Sequence, residues 1–509
     1  MNEPFSFSVA LPNETATAEL MADLALLAGP CDTITLSGDL GAGKTTAARA
    51  MIRYLAGDDD YEVPSPTFTL TQTYDLPPFP VLHADLYRIA DASELEEIGL
   101  SPLPEGTLSL IEWPERAPEA MPDERIDIAF SHRPSLGSSA RAAEITGYGK
   151  AAAKVERLAA LRRFLNLSGE GNAVRKRMAG DASTRSYARL MGDNGSRVLM
   201  NSPTRPDGPA IHNGKSYSAA VHLAEDVRPF VALANGLRQY GFSAPAVYHA
   251  DLEAGFLLLE DLGGASFVQG SPPEPIIERY HVATAMLAAL HGIDLPDTLP
   301  LAPKITYTIP EFDFDAMMTE VGLMLDWYLP DHDVTLSGMM HADFLVIWKD
   351  LLGRLETARK TWVLRDFHSP NLIWLGGREG ISRVGLLDFQ DAVMGPEAYD
   401  LVSLLQDARI DVPDAIELSL LGRYVAARRA ADPVFDAATF AEIYAIMSAQ
   451  RNTRLLGTFA RLNRRDGKPQ YLKHQPRIWD YLQRAFAHPT LESLKDWFTA
   501  NVPKPTARI

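Results

Sequence analysis

Gly38-Asp39-Leu40-Gly41-Ala42-Gly43-Lys44-Thr45 stands between a strand-like run, Thr33 to Leu36, and a helix-like run, Thr46 to Leu55. Glycines at this spacing let backbone N–H groups wrap phosphate oxygens. The lysine then reaches the β and γ oxygens, and the threonine hydroxyl ligates Mg²⁺. Strand, loop and helix in this order predict an ATP site whose phosphates meet Gly38, Asp39, Gly41, Ala42, Gly43, Lys44, Thr45 and Thr46.

Outward from that loop, Thr15 to Leu27 has helical period, and short strand candidates follow at Phe68 to Tyr74, Val81 to Asp85 and Leu108 to Glu112. The alternation predicts a compact α/β sheet. Such a site needs an acid to hold the metal's water shell. Asp85 and Glu112 each end a strand, and either fits that role. Ser65-Pro66-Thr67-Phe68-Thr69 lies between the loop and Asp85, where a nucleotide-sensing switch belongs.

A second ATP text begins more than 300 residues later: Leu364-Arg365-Asp366-Phe367-His368-Ser369-Pro370-Asn371, then Leu386-Leu387-Asp388-Phe389. In a kinase-type loop an Asp accepts or orients the proton of the substrate hydroxyl. An Asn five residues on and an Asp ending the next hairpin hold Mg²⁺. Asp366 is the expected base, and Asn371 and Asp388 the expected metal ligands. Upstream, Phe256 to Leu259 is an apolar strand running into a hinge, Glu260-Asp261-Leu262-Gly263. Helical segments then dominate, at Ile276 to His291, Phe314 to Leu329, Phe344 to Arg359, Ala398 to Asp407 and Phe440 to Leu456. His368 is read as shaping its loop. With no second His or Cys at ligand spacing, no structural zinc is expected.

The 509 residues, 46% hydrophobic and 22% charged, suit two to four globular domains. No apolar run approaches the roughly 18 residues that span a bilayer, and the acidic start lacks a basic signal region. Cys31, the single cysteine, permits no internal disulfide and is expected as a small buried apolar residue. These features predict a cytoplasmic protein with no membrane association. Net charge is −18, and residues 1 to 150 hold 24 Asp/Glu against 9 Lys/Arg, which is −15 and leaves −3 for the rest. So acidic a first domain disfavours direct nucleic-acid binding and fits either a protein partner with a basic face or a simply solvated acidic surface.

No internal repeat connects the two ATP texts, so the chain reads as a fusion. The expected organisation is an ATPase domain over 1–148, a linker over 149–158, a small kinase-like lobe over 159–263 and a helical lobe over 264–509. The fold class is an α/β P-loop NTPase domain followed by a bilobal α+β protein-kinase-like domain.

The set Gly38 to Thr46, Ser65-Pro66-Thr67-Phe68, His83-Ala84-Asp85-Leu86-Tyr87-Arg88 and Glu112-Trp113 resembles the TsaE family over nearly all of residues 1 to 146. The resemblance implies the ATPase that serves threonylcarbamoyladenosine synthesis at tRNA position 37, with TsaB and TsaD proteins as partners. It implies that Lys44 and Thr45 bind phosphate and Mg²⁺, that Asp85 and Glu112 assist the metal, and that Thr67 senses the γ-phosphate. It assigns no chemical role to Tyr87, Arg88 or Trp113.

Gly180-Asp181-Ala182-Ser183-Thr184-Arg185, Glu260-Asp261-Leu262-Gly263, Arg365 to Asn371, Asp388-Phe389-Gln390-Asp391-Ala392, Gly395-Pro396 and Gln450-Arg451-Asn452 resemble the aminoglycoside phosphotransferase superfamily, of the amino-sugar kinase type. That implies ATP-dependent phosphorylation of the anomeric hydroxyl of N-acetylmuramate or N-acetylglucosamine. Asp181, Ala182 and Ser183 are then the phosphate-covering loop, and Glu260 to Leu262 the adenine contact. Two departures stand out. Leu364 replaces a frequent His, and Arg197-Val198-Leu199-Met200-Asn201 lacks the lysine that usually grips the α and β phosphates. Lys215 and Lys176 are candidate substitutes, and Glu320, Trp327 and Tyr328 are candidate sugar contacts. The missing lysine also leaves room for a pseudokinase scaffold, and a third reading has the first domain gating the second.

Overall fold

The structure is a computed structural model, and it describes every residue except 1–2, 92, 98, 179–184, 205–207, 213 and 507–509. The chain divides into two compact units, Met1–Thr204 with Tyr248–Asp261, and Arg205–Val247 with Leu262–Ile509.

The first unit contains a seven-stranded mixed sheet built from β1 (Phe5–Leu11), β2 (Thr33–Ser37), β3 (Thr71–Tyr74), β4 (Val81–Asp85), β5 (Leu108–Glu112), β6 (Ile126–His132) and β7 (Arg141–Gly147). Their spatial order is β1-β7-β6-β2-β5-β4-β3. The central strand β2 runs parallel to both β5 and β6, and β4 runs parallel to β5. Helices α1 (Glu14–Leu27) and α2 (Lys44–Ala56) pack together, their Leu20, Leu24, Ala48, Met51 and Ile52 sharing one core with Ile34 and Leu36 of β2. Thr33, Ile34, Thr35 and Leu36 of β2 are all buried, as befits a central strand covered on both faces. Asn13 caps α1, its side chain accepting from Ala16 N at 2.9 Å. After a short helix α3 (Glu94–Glu97), strands β6 and β7 form an interior hairpin, flanked by β2 and β1, that the sequence reading did not single out. Phe68 to Leu70, expected as strand, lies in turns before β3, and Leu70 has φ 63°.

Where the sequence suggests a linker over 149–158, a helix begins: α4 (Ala151–Leu167). Alanine-rich, with leucines spaced for a helical stripe, it serves two cores at once. Its Val155 and Leu158 pack into the seven-stranded sheet's core, and its Leu161, Phe164 and Leu165 into that of a second sheet. This second, five-stranded sheet orders Val247–Asp251, Phe256–Glu260, β10 (Gly195–Asn201), β9 (Ser186–Gly192) and β8 (Val174–Arg177). The strands of the expected small lobe therefore share a unit with the ATPase domain. The helix Arg228–Gln239, from the same stretch of sequence, belongs to the second unit, where Phe230 stacks on Phe389 at 4.8 Å.

The second unit is largely helical. The expected helix Phe314 to Leu329 is broken after Leu323 by a π-helical turn, Met324–Tyr328. The 30-residue helix Ala437–Asp466 passes there so closely that a Cβ on Gly457 would lie 2.3 Å from the Leu323 carbonyl carbon. Only glycine fits that approach. The catalytic-loop text lies between strand Lys360–Val363 and the hairpin Leu372–Trp374 with Val384–Leu386. No helix among the described residues is long and apolar enough to cross a membrane.

Candidate active sites

The phosphate loop joins β2 to α2. Gly38 has φ 128°, and a Cβ there would meet the Phe130 carbonyl oxygen at 2.3 Å, so the loop's entry requires glycine. Lys44 Nζ donates to the carbonyl oxygens of Gly38 at 2.6 Å and Asp39 at 2.9 Å, and sits 3.4 Å from the Trp113 ring centroid. Burial lowers its pKa, with Glu112 opposing. A lysine held on loop carbonyls is poised to exchange them for phosphate oxygens.

Parallel pairing of β4 with β5 sets Asp85 opposite Glu112, and pairing of β2 with β5 sets Glu112 opposite Leu36, just before the loop. Both acids thus sit at the C-terminal strand ends beside α2's first turn, where open α/β sheets place ligands. Thr45 Oγ1 donates to Glu112 Oε2 at 2.8 Å, and His83 Nε2 contacts Glu112 Oε1 at 2.8 Å. Thr67 Oγ1 donates to Asp85 Oδ2 at 2.8 Å while the Ser65 hydroxyl lies 2.7 Å from the Thr67 hydroxyl. Of the groups expected here from the sequence, Lys44, Thr45, Thr67, Asp85 and Glu112 are brought together, while Thr46 lines a separate cavity with Arg49 and Arg53. Trp113, left without a role by the sequence, packs against Lys44 and lies 5.0 Å from the Tyr87 ring. His83 was equally unmarked, since a histidine inside a buried strand gives no sign of which carboxylate it meets.

In the second unit, Asn371 Nδ2 donates to the Asp366 backbone oxygen at 3.1 Å and approaches Asp388 Oδ2 at 3.5 Å. Gln390 Nε2 donates to the other Asp388 oxygen at 2.8 Å. The Asp366 side chain is 34% exposed, so its carboxylate is open to a substrate hydroxyl. Burial of the surrounding loop works against its charge, but His368, Arg454 and Arg365 outweigh that and hold its pKa below the ordinary carboxylate value. His368 itself is pushed down by burial, and its Nε2 is 3.9 Å from Asp366 Oδ1.

Beneath this loop lies a layer of buried acids. Asp400 accepts from the backbone N–H groups of Leu364 at 2.6 Å and Arg365 at 2.9 Å, and burial raises its pKa to about 7 against the pull of those bonds. Asp407 accepts from the Ser369 hydroxyl at 2.8 Å. Arg365, at φ 67°, pairs with Glu320 and donates to Val221 O at 2.7 Å.

The family model "Threonylcarbamoyl adenosine biosynthesis protein TsaE" matches residues 11–141, and "Phosphotransferase enzyme family" matches residues 174–438. A protein from Caulobacter vibrioides named N-acetylmuramate/N-acetylglucosamine kinase is 38% identical over 366 residues, covering 69% of this chain and 99% of that protein. A namesake from Pseudomonas aeruginosa is 33% identical, covering 64% of this chain and 87% of its own. The Rickettsia bellii protein named tRNA threonylcarbamoyladenosine biosynthesis protein TsaE is 38% identical over 118 residues, covering 23% of this chain and 81% of its own. The chain belongs to the phosphotransferase enzyme family, with a TsaE-family region at its N-terminal end. It is an enzyme that joins an ATPase to a kinase.

Several readings of the phosphotransferase region change with the structure. Glu320 is fully buried and holds Arg365, Arg454 (3.1 Å) and Gln450 (2.9 Å), so it braces the catalytic loop and does not face a sugar. Burial pushes its carboxyl up, but Arg454 and Arg365 prevail and lower it. Tyr328 is likewise buried, its hydroxyl donating to Pro503 O at 2.8 Å. Lys176 pairs with Asp59 in the TsaE region, which removes it as a substitute for the missing kinase lysine, and Lys215 is exposed. On β10, Leu199 faces the α4 core, so its neighbours Val198 and Met200 face the other side of the sheet, and Met200 is buried there. Glu260 ends the strand Phe256–Glu260, half-buried, and Leu262 follows it, its Cδ1 close against Gly385. Asp261 between them is held by Arg189 Nε at 2.6 Å. Asp181, Ala182 and Ser183 lie outside the described residues. Cys31 also departs from expectation: it is exposed at φ 71°, its Sγ accepting from Gly106 N at 3.1 Å.

Proposed function

We propose that the TsaE-family region hydrolyses ATP in support of threonylcarbamoyladenosine formation on tRNA, with TsaB and TsaD proteins as partners, and that the kinase region transfers the γ-phosphoryl group of ATP to the anomeric hydroxyl of N-acetylmuramate or N-acetylglucosamine. The observation that carries the second activity is the open carboxylate of Asp366 beside Asn371 and Asp388, in a chain that spans nearly the whole of the Caulobacter kinase. A cytoplasmic setting, where ATP and these substrates meet, goes with both activities.

The chemistry follows from the residues. Asp366 accepts the proton of the sugar hydroxyl, whose oxygen bonds to the γ-phosphorus as the β–γ bridging P–O bond breaks and ADP departs. Arg454 and Arg365 keep that carboxylate ionised and ready. In the TsaE region, Lys44 meets the β and γ oxygens and Thr67, tied to Asp85, lies where a γ-phosphate can be sensed. The oxygen-rich donor sets suit a hard divalent cation: Thr45, Asp85 and Glu112 at the first site, Asn371 and Asp388 at the second. Bound there, Mg²⁺ neutralises charge on the phosphate oxygens. Among the described residues no cluster of three or more His, Cys, Asp or Glu is arranged to cage a metal, which suits an ion completed by water and nucleotide.

The test is product analysis by mass spectrometry and phosphorus NMR, with Mg-ATP and N-acetylmuramate, N-acetylglucosamine, glucosamine or an aminoglycoside. A sugar 1-phosphate from the N-acetylated sugars is expected. Binding of ATP without any phosphorylated sugar would establish a scaffold in place of a kinase.

A further inference from the structure

The cavity beside α4 in the first unit is basic, its cations all coming from beyond the acidic residues 1 to 150. It measures about 730 Å³, and among the described residues four cations and no carboxylate line it: Lys154, Arg157, Arg177 and Arg185. Lys154 is taken up by Asp32 at 2.6 and 2.5 Å. Arg157 has only an amide partner, Asn201 Oδ1 at 3.0 Å, and lies 4.4 Å from the centroid of the Phe256 ring. Burial lowers its pKa, with the more distant Asp251 opposing. No described carboxylate forms an ion pair with Arg157 or Arg177. Pro77, Pro78 and the half-buried Phe79 add apolar lining to the same cavity.

Arg157 and Arg177, without a described carboxylate partner, make an anion site, because each gains a charge-assisted bond to an anion that the protein does not supply. Guanidinium forks match phosphate oxygens, and a flat ring packs on a Pro-Pro-Phe wall. The volume is that of a small-molecule site. None of Gly38 to Thr46 lines it, and Arg177, Ser186 and Asn201 lie on the α4 face of the five-stranded sheet, so the cavity is separate from the TsaE phosphate loop.

We propose that this junction cavity binds a nucleoside diphosphate, its phosphates on Arg157 and Arg177 and its base against Phe79. Full-length protein saturated with Mg²⁺ and the non-hydrolysable analogue AMP-PNP is titrated with UDP by calorimetry, with inorganic pyrophosphate and uridine as comparators. One saturable UDP event is expected, without release of the analogue. Arg177→Gln and Phe79→Ala, each checked for an unchanged melting temperature, weaken it about tenfold or more, the size of one lost charged or ring contact. No UDP event, heat that appears only as analogue leaves, equal affinity for pyrophosphate, or unchanged affinity in both variants overturns the proposal.

Discussion

The two ATP sites of this chain are assembled in opposite ways. At the TsaE site the functional groups bond to one another and to the loop: Lys44 on two carbonyls, Thr45 on Glu112, Thr67 on Asp85. At the kinase site Asp366 stands open, and its geometry comes from a second layer of buried acids, Asp400 and Glu320 on helices and Asp407 just past one. A site of the first kind is nearly complete in one strand–loop–helix passage and its neighbouring strand ends. A site of the second kind depends on packing far from it in sequence.

The largest expected effect separates the two chemically. Asp366→Asn removes the hydroxyl's proton acceptor and lowers sugar phosphorylation by about 10²–10⁴-fold, while ATP hydrolysis stimulated by TsaB and TsaD proteins persists. Parallel assays of sugar phosphate and released phosphate check this, and loss of both activities would dissolve the distinction. Conversely, Lys44→Ala lowers the stimulated hydrolysis by about 10²–10³-fold, the scale of one lost phosphate-stabilising group, and leaves sugar kinetics unchanged. A changed sugar kcat in that variant would mean that the first site gates the second.

Asp400→Ala probes the buried layer. Two backbone N–H groups lose their acceptor, at about 1–3 kcal/mol each, and the loop shifts. Sugar kcat is expected to fall about 10–100-fold with the KM for ATP little changed, as for misplacement rather than lost binding. Steady-state kinetics with both substrates distinguishes this from simple unfolding.

The smallest effect is on pH stability. His291 is fully buried, its Nδ1 2.7 Å from the Tyr424 hydroxyl, and burial pushes it down to about 3. Its folded pKa lies below the unfolded value, so stability is fully present above pH about 6.5 and falls by up to about 1.4 kcal/mol per unit as pH drops toward 3. His291→Phe therefore flattens the acid limb of a denaturant-midpoint profile, although Tyr424 loses its partner at neutral pH. An unchanged slope would show that other groups set the acid limit.

Much of this was legible beforehand because certain residues carry their chemistry locally. Gly38 to Thr45 specify a loop through φ preferences and N–H geometry, and Asp85 and Glu112 announce themselves as acids closing apolar strands. Asp366, Asn371 and Asp388 are tied by a short loop and one hairpin. Trp113 and His83 were not legible, since their partners come from strand pairing. Glu320 was misread for a related reason: an acid at helical spacing near aromatics looks the same whether it faces a ligand or a buried arginine.

By itself the sequence determined two phosphate sites, their order and their families, because backbone and metal chemistry demand particular residues at fixed spacing. Tertiary structure alone decided that the helix Ala151–Leu167 serves two cores, that Glu320 and Asp400 brace the catalytic loop, and that four cations gather beside that helix. Those outcomes rest on burial and on pairings between residues distant in sequence, where the same side chain is solvated or ion-paired according to what folds against it.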